Sequence, residues 1–191
     1  MTDTARVLHE PWPSVSRQRE GVAFGVWVFI ASEILFFSGL FVTYTIYRTL
    51  YPDAFKIASR ETDVFYGTLN TAILLTSSLT MALSVALSEK GFRRITVGTL
   101  SLTALLGLAF MTVKGFEYAG DLEKGLWPSP NFPLHPAATQ LFWTLYWIMT
   151  GIHAIHLSVG IGIVITITVL LARRDIPPKA TTFEGVALYW H

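Results

Sequence analysis

The stretch Phe142 to Val164, FWTLYWIMTGIHAIHLSVGIGIV, constrains this chain more than any other. It is free of Asp, Glu, Lys and Arg, and it is long enough to cross the hydrocarbon core of a bilayer, which takes about 20 residues of helix. Inside a membrane every backbone N–H and C=O must be satisfied within the protein, so an apolar run of this length reads as a helix. Two histidines, His153 and His156, lie near its middle. Imidazole in hydrocarbon is rare and costly, so a functional or structural partner is expected for each. Their i,i+3 spacing sets both on one helix face. Gly151, Gly160 and Gly162 lie around them and would let a neighbouring backbone come close.

The rest of the chain repeats the pattern. Of 191 residues, 52% are hydrophobic and only 14% charged, against about 25% charged in a soluble domain. The expected fold is all-α: a polytopic transmembrane helix bundle with four complete spans, at about 21–47, 64–87, 95–113 and 139–172, and the start of a fifth near 182. Residues 1–20 are polar and carry no apolar core of a signal peptide, so they read as a cytoplasmic or interfacial arm, with the first span doubling as the insertion signal. Residues 49–63 and 115–138 read as loops, the second acidic and then proline-rich. Residues 21–191 read as one domain.

Thr181-Thr182-Phe183-Glu184 has the form of a capping box and opens the fifth helix. About ten residues follow it, where a span needs about twice that. The expectation is a fragment of a longer chain, a lost final span, or one supplied by another chain. Lys and Arg set the orientation. The arm, the 89–94 turn and the segment from Arg173 onward together carry nine, and the opposite side carries five. The N-terminus is therefore expected on the cytoplasmic side.

The absence of cysteine excludes disulfides, thiolate metal sites and cysteine catalysis. A formal net charge of +1 leaves no basic field for nucleic acid. Glu33 is the only charge inside the first span. It reads equally as a proton-exchanging or lipid-contacting group and as a buried carboxyl with a packing role. A His-x-x-His pair is a weak metal signal, because catalytic sites usually take three protein ligands. Hydrogen-bonded structural histidines are the preferred reading for His153 and His156, and no metal is expected. Asn70, Ser77, Ser78 and Ser101 read as interhelical hydrogen-bonding groups. Glu117 and Tyr118 read as an interfacial pair beyond the third span. These residues alone indicate a membrane bundle with an internal polar cluster and no redox centre of its own.

Five short motifs then occur in one order: Ser32-Glu33-Ile34-Leu35-Phe36-Phe37; Leu69-Asn70-Thr71 with Leu75-Thr76-Ser77-Ser78; Phe116-Glu117-Tyr118; Thr150-Gly151-Ile152-His153-Ala154-Ile155-His156; and Phe183-Glu184-Gly185-Val186-Ala187-Leu188-Tyr189-Trp190-His191. In that order and spacing the chain closely resembles subunit III of the haem–copper terminal oxidases, in the short bacterial form with five helices. The resemblance implies a non-redox accessory subunit, with haem and copper held by partner subunits and bound phospholipid as its only expected ligand. It implies packing against subunit I, contact with subunit II, and support of proton uptake and sustained turnover in the bacterial cytoplasmic membrane. Glu33 matches the family's membrane glutamate, known for carbodiimide reactivity. His153, His156 and Glu117 match its polar motifs, with Asn70 in the intramembrane cluster. Glu184, Tyr189, Trp190 and His191 match the start of its last helix. The alternatives are the equivalent subunit of a quinol oxidase or nitric-oxide-reductase accessory homologue, a b-haem anchor using His191 with His153 or His156, and a small proton-coupled transporter built round Glu33.

Overall fold

The computed structural model describes residues 13–130, 132–174 and 180–190. All regular structure in them is helical: α1 Val15–Leu50, α2 Pro52–Arg60, α3 Val64–Glu89, α4 Arg93–Glu123, α5 Ala138–Arg173 and α6 Ala180–Trp190. Four of these, α1 (from Ser16), α3, α4 and α5, are long and apolar enough to cross a membrane. The observed architecture is therefore all-α with four helices able to span, followed by the eleven-residue α6. At 1.5 Å per residue the 36 residues of α5 run about 54 Å, well past a hydrocarbon core of about 30 Å.

The chain forms two units, Met1–Gly39 and Leu40–His191. The described part of the first is the N-terminal portion of α1. It begins at Val15, six residues before the expected span. The rest of the arm, residues 1–12, lies outside the described residues.

In the second unit, α3 and α4 pair through hydroxyls. Thr80 and Thr103 lie oxygen to oxygen at 2.8 Å, and Ser84 Oγ donates to Thr99 Oγ1 at 3.0 Å. Ser77 Oγ reaches the Thr103 carbonyl at 3.4 Å. Apolar burial does not drive association between helices in lipid, so packing and such bonds, worth about 0.6 kcal/mol each, carry it. Ser101, by contrast, donates to Val97 O on its own helix. Met81, Leu100, Ala104, Val164, Ile167, Leu171 and Phe183 form a core shared by α3, α4, α5 and α6.

Three further differences from the sequence reading stand out. The 49–63 loop contains α2. Pro52 stands in its first turn, Asp53 at the positive end and Arg60 at the negative end, all favourable positions. Ala54, Phe55 and Ala58 are buried on one face, and Phe55 meets Tyr44 and Phe142 edge-on. Asp63 then caps α3, accepting from the Phe65 amide at 2.8 Å.

The second difference is that α4 does not stop near Val113. It continues ten residues further, because Lys114 and Glu117 pair with each other at 2.9 Å instead of leaving the helix for solvent. Gly125, just beyond the C-cap Lys124, terminates it: its φ of +72° lets the Leu126 amide turn back to the Asp121 carbonyl at 3.0 Å. The last difference is at α6, which starts at Ala180, two residues before the expected point.

Arg93, at the start of α4, donates through Nη2 to the Leu171 carbonyl at the C-terminal end of α5. A cation there satisfies an orphan acceptor and opposes the helix dipole. Arg93→Ala is expected to lower stability by about 1 kcal/mol, read as a lower thermal midpoint in detergent. Arg94→Ala, on an exposed neighbour, serves as control. Equal midpoints for the two variants would remove this role.

Candidate functional site

The densest polar chemistry lies where the far end of α4 meets the first half of α5. Lys114, Glu117, Tyr118 and Asp121 fall at i, i+3, i+4 and i+7, one stripe of α4. Tyr146, Trp147 and Thr150 form the facing stripe of α5. Lys114 Nζ donates to Glu117 Oε1 at 2.9 Å and to Tyr146 Oη at 3.0 Å. Tyr146 Oη lies 2.6 Å from Glu117 Oε1 and 3.1 Å from Asp121 Oδ2. Tyr118 Oη donates to Thr150 Oγ1 at 2.7 Å, and Thr150 donates to the Tyr146 carbonyl.

The side chains of the ion pair are 12% and 8% exposed, so solvent does little of the stabilising. Lys114 also sits 4.8 Å from the Tyr146 ring centroid and 5.1 Å from that of Tyr118, within cation–π range. One cation and one phenol thus hold two buried carboxylates. Glu117 Oε2 and Asn70 Oδ1 have no hydrogen-bond partner among the described residues.

The two histidines are used elsewhere. His153 meets Phe110 edge-on at 5.9 Å. His156 stacks on Tyr189 of α6 at 4.2 Å, and Tyr189 Oη donates to the His156 carbonyl at 2.9 Å. Trp190 follows into a notch between Gly107 and Gly160, where Ile161 also packs, and its indole N–H donates to Ser77 Oγ at 3.1 Å. Gly151 and Gly162 face open space. Among the described residues no three His, Asp or Glu side chains converge as metal ligands would.

Glu33 lies half-exposed on α1 in the first unit. Glu184 is exposed on α6, and His191 lies outside the described residues. Lys114, Asp121, Tyr146 and Thr150 escape the sequence reading. The i, i+3, i+7 spacing of Lys114, Glu117 and Asp121 is the available signal, and a loop reading of residues 115–138 hides it.

Spanning helices joined by internal hydroxyls, with a buried ion pair at one end and a seat for a further helix, define a multi-pass helical membrane protein. The chain belongs to the cytochrome c oxidase subunit III family, whose profile matches residues 14–191. It is 30% identical to cytochrome c oxidase subunit 3 of Corynebacterium diphtheriae, across 89% of this chain and 80% of that one. It is 28% identical to a probable quinol oxidase subunit 3 of Staphylococcus haemolyticus, across 92% and 85%. It is also 27% identical to cytochrome c oxidase subunit 3 of Synechocystis, across 88% and 68%. It is thus a membrane subunit of a respiratory oxidase complex.

Proposed function

We propose that this chain is a non-redox accessory subunit: it packs on the large haem-bearing subunit, contacts subunit II, binds phospholipid, and supports proton uptake and durability over many turnovers. The observation that supports this best is the use of its histidines. His153 and His156 are engaged by Phe110 and by Tyr189, so the imidazoles act as helix-packing groups. Its outer faces carry large apolar side chains such as Leu75, Leu79, Leu105 and Ile155, exposed in the isolated chain and suited to lipid or a partner helix. Haem and copper belong to the partner subunits in this reading, and the N-terminus faces the cytoplasm of a bacterium. Relatives of similar identity are named for cytochrome c and for quinol oxidases, so either electron donor fits.

The test is purification of the tagged chain in mild detergent, with mass spectrometry and a haem spectrum of the eluate. Co-elution with a haem-bearing large subunit is expected, and the haem type narrows the donor class. Haem remaining on the chain after it is separated from every partner would overturn the non-redox assignment.

A further inference from the structure

Beside the ion pair runs a file of oxidisable rings. Trp127 and Trp147 are 5.1 Å apart between centroids, Trp147 and Tyr146 6.0 Å, and Tyr146 and Trp143 5.0 Å. Tyr118 flanks the file, 4.5 Å from Trp147. The file runs from the surface inward: Trp127 is 53% exposed and Trp143 fully buried. Aromatic residues at a membrane interface are ordinary, which accounts for Trp127. It does not account for the deep members or for what each ring's X–H group faces.

Indole and phenol, with thiol, are the side chains that lose single electrons most readily, and this chain has no thiol. Rings in contact pass such electrons on. Where the hole comes to rest depends on where a proton can go. The Trp147 N–H donates to the Leu126 carbonyl at 3.1 Å, and Tyr118 donates to a hydroxyl; neither acceptor is a useful base. Trp143 Nε1 has no acceptor among the described residues. Among the described residues, only Tyr146 of these rings has a carboxylate within hydrogen-bond distance: Glu117 at 2.6 Å, in the short range of O–H···O⁻ bonds.

We propose that Tyr146 is a radical sink, filled from the surface through Trp127 and Trp147 and served by Glu117 as proton acceptor. The oxidants are one-electron radicals of the hydroxyl or lipid-peroxyl class, side products of oxygen reduction in a respiratory membrane. Such a radical takes one electron from the Trp127 ring and is itself reduced. Trp147 refills Trp127, and Tyr146 refills Trp147. The Tyr146 O–H bond breaks as its proton forms a new O–H bond to Glu117 Oε1. The products are a neutral tyrosyl radical and a neutral carboxyl.

Lys114 then loses its counter-charge, and the cluster gains one positive charge. The carboxylate of Asp121, 3.1 Å from the phenol oxygen, is placed to compensate it, where weak dielectric screening makes proximity count. A quinol, or another one-electron reductant at the membrane, restores the phenol, and Glu117 returns the proton.

The test uses the intact oxidase complex, fully oxidised beforehand so that partner metal centres donate no electron. It is exposed to photogenerated sulfate radical, frozen, and examined by electron paramagnetic resonance with and without ring-deuterated tyrosine. Tyr146→Phe is expected to remove a tyrosyl component that narrows on deuteration, while oxidised Trp127, read by mass spectrometry, increases. Trp147→Phe leaves the phenol and carboxylate in place and is expected to remove the same component; it decides the matter if Tyr146→Phe does not assemble. A spectrum from either variant that superimposes on the wild type overturns the proposal.

Discussion

Lys114→Met is expected to destabilise the folded chain by about 3–5 kcal/mol, the usual cost of removing one partner from a buried ion pair. The substitution keeps the length and apolar stem of the side chain, so the loss is electrostatic. Glu117 would keep only the Tyr146 phenol, which it shares with Asp121. Two carboxylates would then face each other across one hydroxyl, with little water to screen them. The measurement is the thermal midpoint of the detergent-purified complex, with the yield of complex recovered from membranes as a second reading.

The double variant Lys114→Met/Glu117→Leu separates charge from packing. Replacing a buried pair by apolar groups of similar size is often neutral or better, so the double variant is expected to recover much of the loss. A double variant as unstable as the single one would show that the loss does not come from leaving Glu117 unpaired, but from the contacts of the Lys114 ammonium with the Tyr118 and Tyr146 rings and the Tyr146 hydroxyl.

The same cluster shows what is legible in one dimension. The spans are legible because the membrane imposes a long-range rule, in which backbone satisfaction and hydrocarbon thickness act on every helix alike. α2 is hidden because nine residues rich in charge resemble a loop until Ala54, Phe55 and Ala58 are seen to share one buried face. The extension of α4 is hidden for a related reason. A charge at Lys114 argues that hydrocarbon has ended, unless its counter-charge lies one turn ahead on the same face, as Glu117 does. Tyr146 is out of reach altogether: nothing around it in the sequence marks it as the residue that will stand over Glu117. The histidines are conspicuous in the sequence, yet their partners Phe110 and Tyr189 are aromatic rings far along the chain. Conspicuous residues point to a site; the apolar or aromatic groups that surround them are a tertiary fact.

The second large effect is expected at Gly107→Val. A Cβ at Gly107 would already stand 2.8 Å from Trp190 Cη2 and 3.0 Å from Ile161 Cγ1. Ile161 is buried in the α4–α5 contact and has little room to yield, so the indole must leave. With it goes the bond to Ser77, the smaller part of the loss at about 0.6 kcal/mol. The larger part is the packing of a big aromatic side chain; truncating a core Trp costs about 3–5 kcal/mol, and Trp190, being partly buried, falls at the lower end of that range.

α6 is the element released, since Phe183 and Trp190 are its deepest holds on the bundle. The cysteine-free chain makes this measurable. A single cysteine at Val186, which packs against the core, reports opening through its rate of reaction with a thiol reagent. At 1.4 kcal/mol per tenfold, a loss of about 3 kcal/mol raises that rate on the order of a hundredfold. Gly151→Val, on α5 where an added Cβ meets nothing within 4 Å, is expected to leave it unchanged. Similar rates in the two variants would mean that α6 is seated by its N-terminal half at Phe183, and that the notch at Gly107 merely accommodates Trp190.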